Sequence, residues 1–156
     1  MNFTSHSLTE SEAKEISEWK YQGDYSIYDL PSWDEMTARN FSLCNENGRE
    51  NMIGFNDESG KFIGYINITP CDDTLFLGIG LSPESCGHGL GKHILQLGLT
   101  RCNDIDPSKS ITLEVRTWNK RAIKCYESVG FKTIRTVKHK TYAGPGEFYL
   151  MEYIHK

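Results

Sequence analysis

Leu81-Ser82-Pro83-Glu84-Ser85-Cys86-Gly87-His88-Gly89-Leu90-Gly91-Lys92-His93-Ile94-Leu95 reads as the end of a strand, a glycine-dense loop and the opening of a helix. The glycines at 87, 89 and 91 have no Cβ, so the backbone can turn into unusual φ/ψ there. It can then set successive N–H groups against an anion at the positive end of the helix dipole. Such a junction suits phosphate, and spacing excludes two common phosphate loops. A Walker-type loop, G-x-x-x-x-G-K-[ST], would put its first glycine at Cys86 and its magnesium-binding hydroxyl at His93. A dinucleotide fingerprint, G-x-G-x-x-G, would need glycine where Lys92 stands.

What is left, Gly-x-Gly-x-Gly-Lys after a strand and before Ile94-Leu95, resembles the pyrophosphate-binding loop of the GCN5-related N-acetyltransferases (GNAT), which hold acetyl-coenzyme A. Further on, residues 113–131 read Leu-Glu-Val-Arg-Thr-Trp-Asn-Lys-Arg-Ala-Ile-Lys-Cys-Tyr-Glu-Ser-Val-Gly-Phe. This is similar to the family's second signature, L-x-V-x-x-x-N-x-x-A-x-x-x-Y-x-x-x-G-F, with Asn119, Ala122, Tyr126, Gly130 and Phe131 in place. The two stretches stand in the family's order, separated by about the length of one helix and one strand. The resemblance covers residues 60–135, and the upstream third matches less well, as expected where a family changes its acceptor.

A chain of 156 residues suits one domain, spanning 1–156. The formal charge of −4 argues against nucleic acid as a partner, because phosphate-backbone affinity comes largely from clustered Lys and Arg. No apolar run approaches the ~20 residues that span a bilayer, and the first residues lack the basic-then-apolar pattern of a signal peptide. No membrane association and a cytoplasmic location are the expectation. The cysteines, at 44, 71, 86, 102 and 125, form no C-x-x-C and have no histidine at zinc-ligand spacing. Reduced thiols and no metal are expected.

Along the chain, Thr9 or Ser11 can cap a helix over 12–20, and Ser32 a short one after Pro31. Strand-like runs follow at 52–55, 62–69 and 74–81, reading as an antiparallel meander. Over 89–103, Leu90, Ile94, Leu97 and Leu95, Leu99, Cys102 form two staggered sets, predicting one broad apolar face of a helix. Ile111, Leu113 and Val115 alternate with Thr112, Glu114 and Arg116, which puts the Glu114 carboxylate on the face opposite Leu113. A helix over 120–129 ends at Gly130, and strands near 131–139 and 148–154 flank a turn over 142–146. The order β, α, α, β, β, β, α, β, α, β, β predicts an α/β fold, and the resemblance makes it a central mixed, mainly antiparallel sheet with helices on both faces.

The resemblance implies an acetyl-CoA-dependent N-acetyltransferase acting on a primary amine, either a small molecule or a peptide N-terminus, by direct attack in a ternary complex. It implies cofactor contacts from Gly87, His88, Gly89, Leu90, Gly91, Lys92, Asn119 and Tyr126, and an oxyanion site at the backbone N–H groups of Ile79, Gly80 and Leu81. Gly80 fits close backbone approach and a simple bulge equally well. Lys92 is the basic residue chosen to offset cofactor charge; Lys120, Arg121 and Lys124 also read as solvated helix residues. Tyr126 stands at the family's tyrosine position, where a phenol of pKa about 10 can protonate the leaving thiolate. Glu114 lies twelve positions before it, the separation found between base and acid in the ribosomal-protein N-terminal alanine acetyltransferases. A carboxylate of pKa about 4.3 is a weak base for an amine near about 8–10, so it needs burial or a water relay, and the other reading makes Glu114 a partner for Arg116 or Lys120.

One departure stands out: Cys86 occupies the position where the family usually carries Arg or Gln. Weaker cofactor affinity is the expected consequence, and a non-catalytic acyl-CoA-binding sensor is the alternative reading. Residues 18–35 are dense in aromatics and acids, and Tyr28 and Trp33 are candidates for the acceptor pocket, aromatic faces suiting a cationic amine. Filling the core is their other reading. Homodimers are common in the family, and pairing through the C-terminal strands is left open.

Overall fold

The computed structural model describes residues 2–154. Its strands are β1 (Thr4–Ser7), β2 (Met52–Asn56), β3 (Phe62–Pro70), β4 (Thr74–Leu81), β5 (Ser110–Arg116), β6 (Phe131–Thr141) and β7 (Gly144–Tyr153). Hydrogen-bonded neighbours run β1-β2-β3-β4-β5-β7-β6. The β4–β5 pair is parallel, and β1–β2, β2–β3, β5–β7 and β6–β7 are antiparallel. The helices are α1 (Glu10–Glu18), α2 (Trp33–Ala38), α3 (Glu46–Arg49), α4 (Leu90–Ile105) and α5 (Lys120–Val129), with 3-10 turns at Gly23–Tyr28, Ser42–Cys44 and Pro83–Ser85. This is the α/β class that the element order predicts, with the mixed, mainly antiparallel sheet that the resemblance implies. No helix among the described residues is long and apolar enough to cross a membrane.

The chain divides into two compact units: residues up to Asn67 with Ile79–His88, and Ile68–Gly78 with residues from Gly89 on. In the first, α1 runs over Glu10–Glu18, two residues earlier than the expected 12–20, because of the two cap candidates Thr9 is the one used and it forms a full capping box. Its Oγ1 accepts from Glu12 N at 3.1 Å while Glu12 Oε1 accepts from Thr9 N at 3.0 Å. Ala13 and Ile16 turn inward onto Leu8, Trp19, Met36, Leu43, Met52 and Phe62, and the Trp19 ring stacks on Phe62 at 5.6 Å. The short α3 escapes a hydrophobic-period reading: Asn45 Oδ1 caps it at Gly48 N, 2.6 Å, and a Cβ on Gly48 would lie 2.1 Å from the Ser42 carbonyl oxygen.

In the second unit α4 buries Ile94, Leu95, Gly98 and Cys102. That stripe is narrower than the broad face expected: Leu97 falls about 115° from its centre at 100° per residue and is 43% exposed. Cys102 is fully buried, which pushes its thiol up to about 11. None of the five cysteines is in a disulfide. The α5 helix begins at Asn119, whose Oδ1 accepts from Ala122 N at 3.2 Å. It ends at Gly130, with φ +124° and its N–H on the carbonyls of Tyr126 and Glu127.

The hairpin β6–β7 differs from the expected turn over 142–146. Pairing continues to Thr141↔Gly144, so the turn is only Tyr142-Ala143. Pro145 is tolerated inside β7 because the β5 ladder starts only at Phe148, leaving Pro145 paired with β6 alone. A register shift between Thr133 and Arg135 then sets which residues face each other toward the tip.

Candidate active site

The glycine loop has the geometry its composition suggests, with one correction. Gly87 (φ +81°) and Gly89 (φ +75°) are left-handed, whereas Gly91 is the second residue of α4 and takes ordinary helical dihedrals. A Cβ at 87 or 89 would meet nothing within 4 Å, so conformation rather than crowding calls for glycine there. Gly89 is the residue before α4 and offers no side-chain cap, and the first turn of α4 holds no acidic residue. The N–H groups opening this helix therefore meet no competing carboxylate of that turn, and the dipole favours an anion. His88 and Lys92 are exposed and Leu90 is half-buried. The Cys86 thiol turns back to the Ser82 carbonyl, 3.5 Å away, in a turn tied by the 2.7 Å Ser82–Ser85 hydroxyl contact.

In the same unit as α4, Lys92 lies near enough to Cys125 on α5 for its charge to favour the thiolate, against the stronger opposite effect of burial. Tyr126, the next residue, is half-buried with its ring edge-on to Phe131 at 6.2 Å. Asn119 is 7% exposed, and its carbonyl oxygen is engaged by the α5 cap. The parallel ladder joins only Thr74↔Ser110, Leu75↔Ile111 and Phe76↔Thr112, although β4 continues to Leu81 and β5 to Arg116. Beyond Thr112, β5 stays with β7 as far as Arg116↔Phe148.

Around Ile79–Leu81 the first unit supplies two contacts that sequence reasoning missed. Tyr21 donates its hydroxyl to the Leu81 carbonyl at 2.6 Å, and its own N–H is held by Asp29 Oδ1 at 2.8 Å. Gly80 is glycine for a reason that neither expectation named: a Cβ there would lie 2.4 Å from Tyr65 Cε1. Tyr28 sits edge-on to Tyr21 at 6.5 Å. Trp33 packs on the core of this unit, and the Lys14 ammonium already lies over its ring at 5.6 Å.

Glu114 is 24% exposed and is partnered by His139, a residue no motif singled out, rather than by Arg116 or Lys120. Its Oε1 lies 2.6 Å from His139 Nε2. The Glu114 carboxylate first, and the Lys140 carbonyl second, hold the His139 imidazole above its usual range. The imidazole stacks on Phe148 with ring centres 4.3 Å apart and planes 4° from parallel, and the buried Arg116 guanidinium lies 4.9 Å from the same ring. The β5–β7 and β6–β7 registers together bring residues 114 and 139 into reach across β7, so no local signal could have found the pair.

The acetyltransferase (GNAT) family matches this chain over residues 11–131, and the chain belongs to that family. It is 33% identical over 63 residues to an N-alpha-acetyltransferase of Sulfurisphaera tokodaii, a match spanning 40% of this chain and 37% of that protein's length. Among solved structures it resembles a spermidine N-acetyltransferase of Vibrio cholerae in complex with CoA and spermine (TM-score 0.76, 17% identity, 96% of this chain and 94% of that one). It also resembles the ribosomal-protein-S18-alanine N-acetyltransferase of Escherichia coli (TM-score 0.69, 21% identity, 97% and 93% covered). At such identities the likeness is one of fold.

Proposed function

We propose that this protein is an acetyl-CoA-dependent N-acetyltransferase that transfers the acetyl group to a primary amine by direct attack in a ternary complex. The observation that carries the reading is the 86–92 turn: two left-handed glycines lead into an uncapped helix N-terminus, in a chain of this family. In this reading the backbone N–H groups of 87–92 hold the diphosphate of acetyl-CoA, with Lys92 offsetting its charge and Asn119 and Tyr126 near its arm. The N–H groups of Ile79–Leu81 receive the acyl arm and stabilise the oxyanion, with Tyr21 holding the following peptide through the Leu81 carbonyl.

Attack requires a neutral amine. Glu114 takes the ammonium proton, the nitrogen lone pair adds to the thioester carbonyl, and the tetrahedral species collapses with cleavage of the C–S bond as its nitrogen gives up a second proton, which replaces through solvent the one Tyr126 donates. Tyr126 protonates the departing thiolate. The relatives named for spermidine and for α-amino groups keep both a small polycationic amine and a peptide N-terminus among the acceptors. Tyr28 is the half-buried aromatic proposed to line that side, and Trp33, which already accommodates the Lys14 cation, is the second.

The test is thiol release from acetyl-CoA across an amine panel. Tyr126→Phe should lower kcat with little change in KM. No release with any amine would overturn the transferase reading, and an unchanged kcat in Tyr126→Phe would remove that phenol from the mechanism.

A further inference from the structure

We propose that His139 is a positioning residue that works through Glu114, the two side chains together forming the proton acceptor for the incoming amine. This rests on the assignment of Glu114 as base made above.

Both ring nitrogens of His139 face oxygen. Nε2 meets Glu114 Oε1 at 2.6 Å and Nδ1 meets the Lys140 carbonyl at 3.3 Å. A carbonyl oxygen and an ionised carboxylate only accept hydrogen bonds, whereas a neutral imidazole has a single N–H. The imidazolium, with two, is the form that satisfies both neighbours. A neutral His139 leaves one nitrogen lone pair directed at an oxygen, so the pair has an affinity for one proton built into its geometry. This answers the difficulty of a lone carboxylate, whose pKa of about 4.3 is far below an amine's. The proton received at Glu114 passes to an imidazole that holds it more firmly.

The ring is fixed for this task. It lies flat on Phe148, which is 8% exposed and cannot yield easily. Gly146, opposite His139 in the β6–β7 register, carries no Cβ where one would lie 2.6 Å from Arg116 Nη1 and 2.9 Å from the Phe148 ring. The charged groups about the pair include Glu114 and Arg116 on β5, Arg135 on β6 in the same cross-strand row as Glu114, Lys138 and Lys140 further along β6, and Glu147 on β7, which is 3.9 Å from Lys138. Arg116 opposes a charge on the ring, but Glu114 touches it directly and prevails. A groove of about 450 Å³ lined by Lys138, His139, Lys140, Pro145, Gly146 and Glu147 opens the imidazole to solvent.

The step balances without another reactant. An N–H bond of the ammonium breaks and its electron pair stays on nitrogen. The proton moves to a Glu114 oxygen and on to His139 Nε2, restoring the carboxylate, and water in the groove removes it before the next turnover.

The experiment compares pH–rate profiles of the wild type and His139→Gln with one amine, alongside an NMR titration of the His139 imidazole in the wild type and Glu114→Gln. The acid limb of kcat/KM in the wild type should follow the His139 titration. In His139→Gln it should move to lower pH, with kcat at neutral pH falling about tenfold or more and KM little changed. In Glu114→Gln the imidazole should titrate nearer its ordinary value of about 6.5. An unmoved acid limb in His139→Gln, or a His139 titration indifferent to Glu114→Gln, overturns the proposal and leaves the transferase reading intact. No turnover by the wild type with any amine removes both.

Discussion

Gly80→Ala sets a methyl carbon 2.4 Å from Tyr65 Cε1, 3.0 Å from Cζ and 3.1 Å from Cδ1. Carbon atoms rest about 3.5–4.0 Å apart, so the ring has to withdraw by about 1 Å. Its way is obstructed: the Tyr65 ring lies 6.2 Å from that of Trp19, and Trp19 is stacked on Phe62 at 5.6 Å within the core of the first unit. Overpacking of this kind costs about 1–3 kcal/mol. For a chain of 156 residues the midrange of about 2 kcal/mol lowers Tm by about 4–8 °C. Calorimetry on the wild type, Gly80→Ala, Tyr65→Ala and the double variant measures this as a thermodynamic cycle. With the ring gone the methyl group has room, and the Gly80→Ala step should cost under about 0.5 kcal/mol, a coupling of about 1.5 kcal/mol. Equal costs in the two backgrounds would refute the steric account and return Gly80 to a purely backbone explanation.

Asn119→Ala removes the α5 cap and should cost about 1 kcal/mol in urea unfolding, while Asn119→Asp, which keeps the acceptor, should cost only a fraction of that. Gly89→Ala forces a Cβ into a left-handed residue, at a cost of about 1–2 kcal/mol, and should weaken acetyl-CoA binding by calorimetric titration; Gly91→Ala, in regular helix, should bind nearly as the wild type does. The raised His139 pKa carries a signed stability effect. A group whose folded pKa exceeds its unfolded one stabilises fully below the unfolded value, about 6.5, and that stabilisation fades as pH rises through the folded value. The stability advantage of wild type over Glu114→Gln should therefore be larger at about pH 6 than at about pH 9, and an advantage that grows with pH would contradict the ion pair.

Much of the frame was legible in local pattern. The α5 helix could be bounded at both ends because its signals are short-range: Asn119 accepts from a residue three positions on, and Gly130 takes the positive φ that ends the helix. The 86–92 turn was legible for the same reason, since glycine's freedom is a property of the residue itself. The width of the α4 face was not, because whether Leu97 is covered depends on what packs beside it. Tyr28 and Trp33 could be named as aromatic candidates, but composition carries no information on which ring a lysine of α1 would occupy.

By itself, then, the amino-acid order determined most of the element types and the left-handed glycines of the 86–92 turn, which depend on neighbours within a few positions. Tertiary structure alone decided that Glu114 meets His139, that Tyr21 reaches the Leu81 carbonyl and that Gly80 makes room for Tyr65. Each of these depends on strand pairing or side-chain packing between segments remote in the chain. A single register shift, such as that between Thr133 and Arg135, changes which side chains meet without changing any local preference.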